Sequence, residues 1–460
     1  LNSLPYSSNS DIILKSKSLR QQINFEVWKN SSLFLNRYQL RNIEGKDGIG
    51  TIVAPPGYGK TYLCKLIIST FLKKNPNYRF LIVCKYTQLM KPFSDIFGSY
   101  QSVDITSAAA LSNSDCPYLN KSYDCLILDE IHELLSDNLV ETLKAIPHKG
   151  RLGLTGTPPE KYEKRRLLDE FCPIVDKITK TEAENRNWIV SAKEVNFLLN
   201  LTDAYEPDVI RKIDELNDTI SSLLDVFDSD LGQVSKCTNI VYAQHFVSRD
   251  LRKANLSPKT VQTYAFQLQA LITKRQNIFN LAPLKIHTTR QILEMLNPEQ
   301  VLVYSSSIVF LNSLAEHMQT MHNKEVHVVH SKMKGKQVLV DGKLKKLGAA
   351  KYKDWILSSF QAGNIQYVGA NKGLGVGYSH DKLKYVIITS GQRSSENYEQ
   401  QKGRAERTDK DDINKKSIVI NVVFKDTIDE SKLNIRQKHS ELGTIQYVES
   451  LNELKECLES

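Results

Sequence analysis

Short, continuously apolar runs recur in the first part of the chain and alternate with stretches of helical period. An example of the latter is TYLCKLIISTFLKK, which follows the first run. Fully apolar strands that alternate with helices are typical of a parallel sheet covered on both faces. The pattern therefore predicts an α/β domain. Its predicted strands are GTIVAP (50–55), FLIVCK (80–85), VDIT (103–106), CLILDE (125–130) and RLGLTG (151–156).

The same pattern returns near the end of the chain and predicts a second α/β domain. Between the two, from about 200 to 295, apolar residues recur at three- and four-residue spacing, which favours helices. Ser257 followed by Pro258 is typical of a helix start within this stretch. The later strands are VLVYSS (301–306), VHVVHS (326–331), IQYVGA (365–370), KYVIITS (384–390) and SIVINVVF (417–424). The predicted divisions are an N-terminal extension (1–35), a first α/β domain (36–198), a helical insert (199–295), a second α/β domain (296–430) and a C-terminal helical tail (431–460).

The turn after the first strand has the chemistry of a phosphate-binding loop. APPGYGKT (54–61) fits G-x-x-x-x-G-K-[ST] except that Ala54 stands at the first position. Gly57 and Gly59 would let backbone N–H groups approach phosphates, Lys60 would neutralise phosphate charge, and Thr61 would hold Mg²⁺. Taken alone, the motif leaves open a chance match in a strand-to-helix turn.

An acidic pair follows a later buried strand of the same domain. In CLILDEIHE, Asp129 and Glu130 stand at the strand's carboxyl end, where an open α/β sheet places its active site. Asp129 can hold Mg²⁺ through water, and Glu130 can polarise an attacking water. An acidic helix start is the ordinary alternative for such a pair, but the phosphate loop nearby argues against it.

Six motifs occur together, in one order, across both α/β domains: RYQ (37–39), APPGYGKT (54–61), DEIH (129–132), LTGTPP (154–159), GANKGLGVGYS (369–379) and QQKGRAER (400–407). This set resembles the superfamily 2 helicases and nucleic-acid translocases of the DExH kind, most of all the branch with DNA-repair and branch-migration helicases, phage helicases and restriction-enzyme motors. The resemblance implies two RecA-like parallel-sheet domains in tandem, ATP hydrolysis, and ATP and Mg²⁺ as cofactors.

The resemblance also implies roles for residues at the nucleotide site. Gln39 would read the adenine edge and Gly377 would contact the nucleotide, although an ordinary surface glutamine remains an alternative. The fifth motif lacks the family's usual acid before its last glycine, so Ser379, His380 or Asp381 would have to replace the ribose contact.

Further roles concern the link between hydrolysis and movement. His132, Thr155 and Thr157 would couple the hydrolysis site to nucleic acid, with a structural histidine and a tight turn as the alternatives. In QQKGRAER, Gln400, Arg404 and Arg407 would act across the cleft, the two arginines as arginine fingers on one helix face. ATP would then bridge two domains that close and open on a strand.

Nucleic-acid contacts are expected to go mainly to phosphates, since a motor steps over any sequence. The formal net charge of +9 permits a polyanionic partner. The stretch KMKGKQVLVDGKLKKLG (332–348) predicts a lysine-rich hairpin that touches nucleic acid, or else a solvated loop. The family positions that would contact nucleic acid are Lys85, Thr87, Thr106, Ser305, Ser331 and Lys332.

Together these features favour an ATP hydrolase that is a DNA helicase or duplex-DNA translocase, with DNA favoured over RNA. An RNA helicase, or a motor or recruiting subunit of a larger defence or transcription complex that does not unwind, are the alternatives. A small-molecule kinase is disfavoured by the 400–407 motif. No apolar run approaches the roughly 20 residues of a membrane span, and the seven cysteines are scattered. We therefore expect an intracellular, cytoplasmic protein with no membrane partner, the nucleus being left open.

Overall fold

The structure is a computed structural model. It describes residues 48–159, 161–185, 189–249, 255–340, 343–371, 380–390, 395–407, 409, 412, 415–437 and 445–460. The predicted N-terminal extension, Gln39 and Gly377 lie outside these residues.

The first sheet has six parallel strands, in the order β3-β2-β4-β5-β1-β6. Each of its five predicted strands is confirmed, whereas β6 was not predicted. Hydrophobic clusters cover both faces of the sheet. The elements are β1 (Ile49–Val53), α1 (Lys60–Lys74), β2 (Phe80–Cys84), α2 (Met90–Phe97), β3 (Val103–Ser107), α3 (Ala108–Leu111), β4 (Tyr123–Asp129), α4 (Ile131–Leu134), α5 (Asp137–Ala145), β5 (His148–Thr155), α6 (Tyr162–Phe171), β6 (Ile174–Lys177) and α7 (Lys180–Asn185).

The next strand crosses the predicted domain boundary. β7 (Ala192–Leu199) pairs with a strand of the second sheet, so a boundary at residue 198 does not separate the two sheets. Its run AKEVNFLL carries Glu194 and Asn196, and these two polar residues interrupt the apolar pattern that would have revealed a buried strand. Both are nevertheless buried, because partners distant in sequence bind them.

The described residues between 201 and 295 form helices. Helices α9 to α12 enclose a hydrophobic core of their own, with Phe227 and Leu268 among its fully buried residues. Helix α13 instead packs against the second sheet through Ile292 and Leu293, so it belongs with the second domain. Ser257 caps α12 by accepting a hydrogen bond from the Thr260 amide, as the sequence predicted. The helices are α8 (Leu201–Ala204), α9 (Pro207–Asp225), α10 (Leu231–Cys237), α11 (Ile240–Ser248), α12 (Pro258–Asn280) and α13 (Pro283–Met295).

The second sheet has seven parallel strands, in the order β15-β7-β14-β13-β8-β12-β9, and hydrophobic clusters lie on both of its faces. The predicted hairpin is confirmed, because β10 and β11 pair antiparallel. The elements are β8 (Val301–Tyr304), α14 (Ile308–His322), β9 (Val326–Val329), β10 (Lys336–Val340), β11 (Lys343–Leu347), α15 (Ala349–Gln361), β12 (Tyr367–Ala370), β13 (Tyr385–Ile388), α16 (Ser395–Lys402), β14 (Ser417–Phe424), α17 (Ile428–Gln437), β15 (Ile445–Val448) and α18 (Leu451–Glu459).

The sequence predicted a helical C-terminal tail. The tail is only partly helical, because it also contains the strand β15. β15 joins the edge of the second sheet beside β7, and α18 packs with Leu454 and Cys457 in the core cluster of that domain. In its sequence IQYV only Val448 is buried, while Gln446 and Tyr447 are exposed, so this edge strand lacks the continuous apolar run that predicts an inner strand. The confirmed architecture is two parallel-sheet domains in tandem with helices inserted in the chain.

Among the helices of the described residues, none combines the length and the hydrophobicity that crossing a bilayer requires.

Candidate functional site in the cleft between the two sheets

The phosphate loop connects β1 to the amino end of α1. Gly57 and Gly59 have φ angles of 84° and 103°, in the left-handed region that glycine adopts without strain. Gly59 is also the N-cap of the 15-residue helix α1 and offers it no side-chain cap. Lys60 donates a hydrogen bond from Nζ to the Ala54 carbonyl, 3.1 Å away. The loop thus presents a helix N-terminus and an ammonium group at one point, which suits an anion.

The acidic pair lies next to this loop because of the strand order. β5 pairs with β1 on one side and with β4 on the other, so the carboxyl ends of the three strands adjoin. Glu130 follows β4 with a φ of 45°, an uncommon angle for a residue other than glycine. Its carboxylate lies 3.5 Å from Lys60 Nζ and accepts a hydrogen bond of 3.2 Å from the Gly156 amide. The structure therefore brings Lys60, Glu130 and the LTGTPP turn together.

The two carboxyl groups of the pair have different electrostatic states. Burial and the neighbouring Glu130 carboxylate together raise the pKa of Asp129 to about 7, although Lys60 acts in the opposite direction. Burial would also raise the pKa of Glu130, but Lys60, His132 and the Gly156 amide outweigh burial and lower it. Glu130 is therefore the ionised member near neutral pH, and Asp129 would gain most from an added cation.

The predicted coupling residues form one hydrogen-bonded chain. Thr155 Oγ1 lies 2.7 Å from His132 Nδ1 and donates its proton to the Thr157 carbonyl, also 2.7 Å away. Because a hydroxyl has a single proton, Thr155 accepts from His132, which assigns the imidazole proton to Nδ1. His132 is 2% exposed, and its own carbonyl accepts a hydrogen bond from Lys164. The chain of hydrogen bonds joins His132 in α4, through Thr155 at the end of β5, to the LTGTPP turn.

The arginine segment of the second domain packs directly on the phosphate loop. It comprises α16, which contains the half-buried Gln400, and residues 403–407. The prediction that Arg404 and Arg407 share one helix face is wrong: the helix ends at Lys402, and the Arg404 and Ala405 amides bond carbonyls three residues earlier in turns. A Cβ placed on Gly403 would lie 2.5 Å from Cβ of Pro56, so only glycine permits this approach. A Cβ on Gly57 would lie 3.7 Å from Cγ of Arg407. Residues about 350 positions apart thus meet across the cleft.

The two arginines differ in their surroundings. Arg407 lies beside Gly57 of the loop, as described above. Arg404 is 7% exposed and interacts with the hydroxyl of the buried Tyr304, at the end of β8. Burial raises the pKa of Tyr304, and the positive charges of Arg404 and Arg407 oppose that rise. Both guanidinium groups therefore belong to the cleft side of the second sheet.

The predicted nucleic-acid contacts fall into two groups. Thr87, Ser331 and Lys332 are exposed and Lys85 is half-buried, so these side chains can reach a partner. Thr106 and Ser305 are only 2% and 4% exposed, so they offer almost no surface. Ser305 instead bonds Ser390, which in turn accepts a hydrogen bond from the Ser306 amide. Thr106 and Ser305 are therefore interior residues at the ends of their strands.

His380, one candidate to replace the missing acid of the fifth motif, is used elsewhere. It is 2% exposed, packs edge-on against Phe360 and lies 3.2 Å from Gln300 Oε1. Burial lowers the pKa of His380 to about 4, with the nearby Lys415 charge acting in the same direction. The imidazole is therefore a neutral part of the domain interior.

Sequence reasoning missed one lysine that contacts the arginine segment. Lys180, in α7, lies 2.5 Å from Glu406 and 3.3 Å from Glu399. Nothing in its local sequence, KITKTEAE, distinguishes it from a solvated helix turn. Only the three-dimensional contact reveals it.

Two family models match separate parts of the chain. Residues 43–163, which include the phosphate loop and the acidic pair, match the AAA domain. Residues 284–409, from α13 through the arginine segment, match the helicase conserved C-terminal domain. The second match begins at α13 and not at the predicted boundary of 296, in agreement with the packing of that helix. The chain thus combines a segment similar to an AAA domain with a segment similar to a helicase C-terminal domain. These matches support a nucleotide-binding, NTP-hydrolysing enzyme.

Solved structures that are similar to this chain have low sequence identity to it. Dbp5 from S. cerevisiae, bound to RNA and ADP BeF3, has a TM-score of 0.55 and 12% identity, with 89% of this chain and 88% of that chain covered. The Hef helicase domain of Pyrococcus furiosus has a TM-score of 0.47 and 14% identity, with 92% of this chain and 98% of that chain covered. No curated protein matches the sequence.

Proposed function

We propose that this protein is an ATP-dependent DNA helicase or duplex-DNA translocase of the DExH kind. The contact of Gly403 with Pro56 carries the proposal, because it joins the arginine segment of one domain to the phosphate loop of the other. A site assembled from both domains makes catalysis depend on their closure. That dependence is what a motor needs, since closure and opening can then move a bound strand.

The residues in the cleft suit ATP with Mg²⁺. The uncapped N-terminus of α1 and Lys60 would bind phosphate oxygens, and the raised pKa of Asp129 marks a buried carboxyl that favours a nearby cation. ATP would supply a terminal phosphoanhydride as the reactive bond. Thr61 and Asp129 would hold the metal, and Glu130, ionised beside Lys60, would orient the attacking water.

The arginine segment would complete this site from the second domain. Arg407, beside Gly57, and Arg404 would stabilise charge that develops on the transferred phosphoryl group, and Gln400 would support them. The chain His132–Thr155–Thr157 would report that event to the nucleic-acid side, because it begins next to Glu130 and ends in the LTGTPP turn.

The hairpin β10–β11 is the best candidate for direct nucleic-acid contact. Leu339 and Leu344 stand opposite each other and are 65% and 74% exposed. Lys343, Lys345 and Lys346 on β11 are also exposed. Lysines attract phosphates, and two exposed leucines are more stable in contact with unstacked bases than in water. The hairpin would therefore meet a strand whose bases are accessible.

DNA is preferred over RNA on the strength of the motif resemblance, and the preference is testable. The experiment compares ATP hydrolysis with single-stranded DNA, duplex DNA, forked DNA and RNA at one salt concentration, with Lys60→Ala as the blank. Stimulation by DNA together with strand displacement or translocation supports the proposal. Stimulation by RNA alone would replace DNA with RNA, and hydrolysis without movement would indicate a motor or recruiting subunit. If no nucleic acid stimulates hydrolysis, the motor function is wrong.

A further inference from the structure

The segment that follows β6 packs on the first domain beside the phosphate loop. The Ile178 amide donates a hydrogen bond of 2.9 Å to the Val53 carbonyl, directly before that loop. Ile178, Ala183 and Ile189 are buried in the same hydrophobic cluster as Tyr58 of the loop. Helix α7, which begins at Lys180, is therefore held in place by the first sheet.

From this position Lys180 contacts the second domain. Its Nζ lies 2.5 Å from Glu406 Oε1 and 3.3 Å from Glu399 Oε2. Further along the segment, the Val190 amide donates a hydrogen bond of 2.8 Å to the Glu406 carbonyl. Both ends of Glu406, its carboxylate and its backbone, are thus bound by one segment of the chain.

Glu406 lies between Arg404 and Arg407 in sequence, and it is 0% exposed. Burial raises the pKa of Glu406, while Lys180 and Lys402 oppose the rise. Burial alone would lower the pKa of Lys180, but Glu406 and Glu399 outweigh burial and raise it. A carboxylate so deeply buried has little access to water, so its ion pair constrains the backbone that carries both arginines.

Lys402 already supplies a cation from within the second domain. It pairs with Glu194 and lies 3.8 Å from Glu406 Oε1. Lys402 is four residues from Glu406 and could neutralise the Glu406 carboxylate without any contact from the first domain. The shorter contact nevertheless comes from Lys180, on the other side of the cleft.

We propose that Lys180 is a positioning residue that sets the arginine segment against the phosphate loop when the two domains close. The inference rests on the proposed ATP hydrolysis in the cleft. Lys180 of the first domain and the buried Glu406 of the second domain form an ion pair that depends on closure of the two domains. Lys180 touches neither nucleotide nor nucleic acid in this role, and it acts through Arg404 and Arg407.

The test measures the kcat and the KM for ATP in the presence of saturating nucleic acid. Lys180→Met should lower kcat by about 10- to 100-fold, the scale on which small misplacements of catalytic groups act, with KM changed much less. Lys180→Arg should recover most of the loss because it retains the charge. Lys177→Met, which removes an exposed lysine three residues earlier, is the matched control and should equal wild type. If Lys180→Met turns over at the wild-type rate, the inference is overturned.

Epistasis separates positioning from a general loss of stability. In a background that carries both Arg404→Ala and Arg407→Ala, Lys180→Met should add no further loss of turnover, because both groups through which it acts are gone. Additive losses would mean that Lys180 acts independently of the arginine segment and would overturn the proposal. Should Lys180→Met fail to fold, Lys180→Gln takes its place in the same pair of backgrounds. A wild-type protein without ATP hydrolysis would instead refute the proposed function itself.

Discussion

Two buried carboxyl groups, one in each sheet, have pKa values shifted in opposite directions. Asp129 ends β4, and burial together with the adjacent Glu130 raises its pKa to about 7. Glu194 lies within β7, and although burial opposes ionisation, Lys402, Tyr398 and Gln437 lower its pKa. The first sheet keeps a carboxyl that a cation would stabilise, whereas the second sheet surrounds its carboxylate with protein donors. The first arrangement suits the proposed binding of a cation, and the second stabilises the fold.

The difference extends to the elements around each group. Around Glu194, Asn196, Asn421 and Gln437 join Tyr398 in a buried hydrogen-bonded network beneath the arginine segment. Networks of this kind specify one arrangement because each unsatisfied member is costly. In the first sheet, polar chemistry is concentrated in the loops after the strands. The second sheet therefore fixes the orientation of α16 from below, and the first sheet holds the groups that would meet the ligand.

The largest expected effect is on the first sheet's loop. Lys60→Ala should abolish ATP hydrolysis while the midpoint of thermal unfolding stays near that of wild type, because Lys60 is at the cleft and not in the core. Phosphate release and calorimetry measure the two quantities. Retained hydrolysis would contradict the assignment of the loop.

Arg404→Ala tests the second sheet's contribution to the same reaction. Turnover should fall by about 10³-fold or more, the scale of arginine-finger losses, while nucleotide binding is spared. Fluorescent-nucleotide titration beside steady-state kinetics separates the two readouts. Unchanged turnover would remove the mechanism that acts across the cleft.

Glu194→Gln should destabilise the protein by about 3–5 kcal/mol, because it leaves the Lys402 ammonium buried without its main partner. Thermal unfolding reports the loss. A double variant, Glu194→Met with Lys402→Met, should recover part of the stability, since no buried charge remains from the pair. Equal stability of Glu194→Gln and wild type would show that the network is not structural.

Asp129→Asn should have the opposite effect on stability, and the effect should depend on pH. Between about pH 4 and pH 7 the folded protein retains a proton that the unfolded chain has released, so wild-type stability falls as the pH rises through this window. Without nucleotide, the advantage of Asp129→Asn should grow by on the order of 2–3 kcal/mol from pH 5 to pH 8. Asp115→Asn, at an exposed site, is the control. An advantage that does not change with pH would refute the raised pKa.

The smallest expected effect concerns the hairpin β10–β11, which is part of neither the first nor the second sheet. Replacing Lys345 and Lys346 with Ala should weaken DNA binding uniformly across sequences and reduce the salt-dependence slope by about one for each phosphate that the variant no longer neutralises. Lys212→Ala, on an exposed face of α9, should leave the slope unchanged. Binding titrations at several salt concentrations measure it. An unaltered slope in the double variant would exclude phosphate contacts by these lysines.

Local sequence was sufficient to predict the elements whose signal is local. The loop at Lys60, the acidic pair and ten apolar strands were predicted because each is a continuous run or a fixed spacing. β7 escaped because its inward polar residues are stabilised by partners on α16 and α17, more than 200 positions away. Lys180 escaped for the same reason. The functional roles of the site residues stay predictions, and those of Gln39 and Gly377 concern positions outside the described residues.

Both attachment points of the helical insert lie on the second sheet. The chain leaves at Leu199, the end of β7, and returns through α13, while Tyr205 donates a hydrogen bond to the Ile278 carbonyl and ties the two roots together. If the second domain rotated, helices α9 to α12 would therefore move together with it. They would exert no force on the connection between the two domains. Deleting helices α9 to α12 would leave every strand of both sheets in the protein.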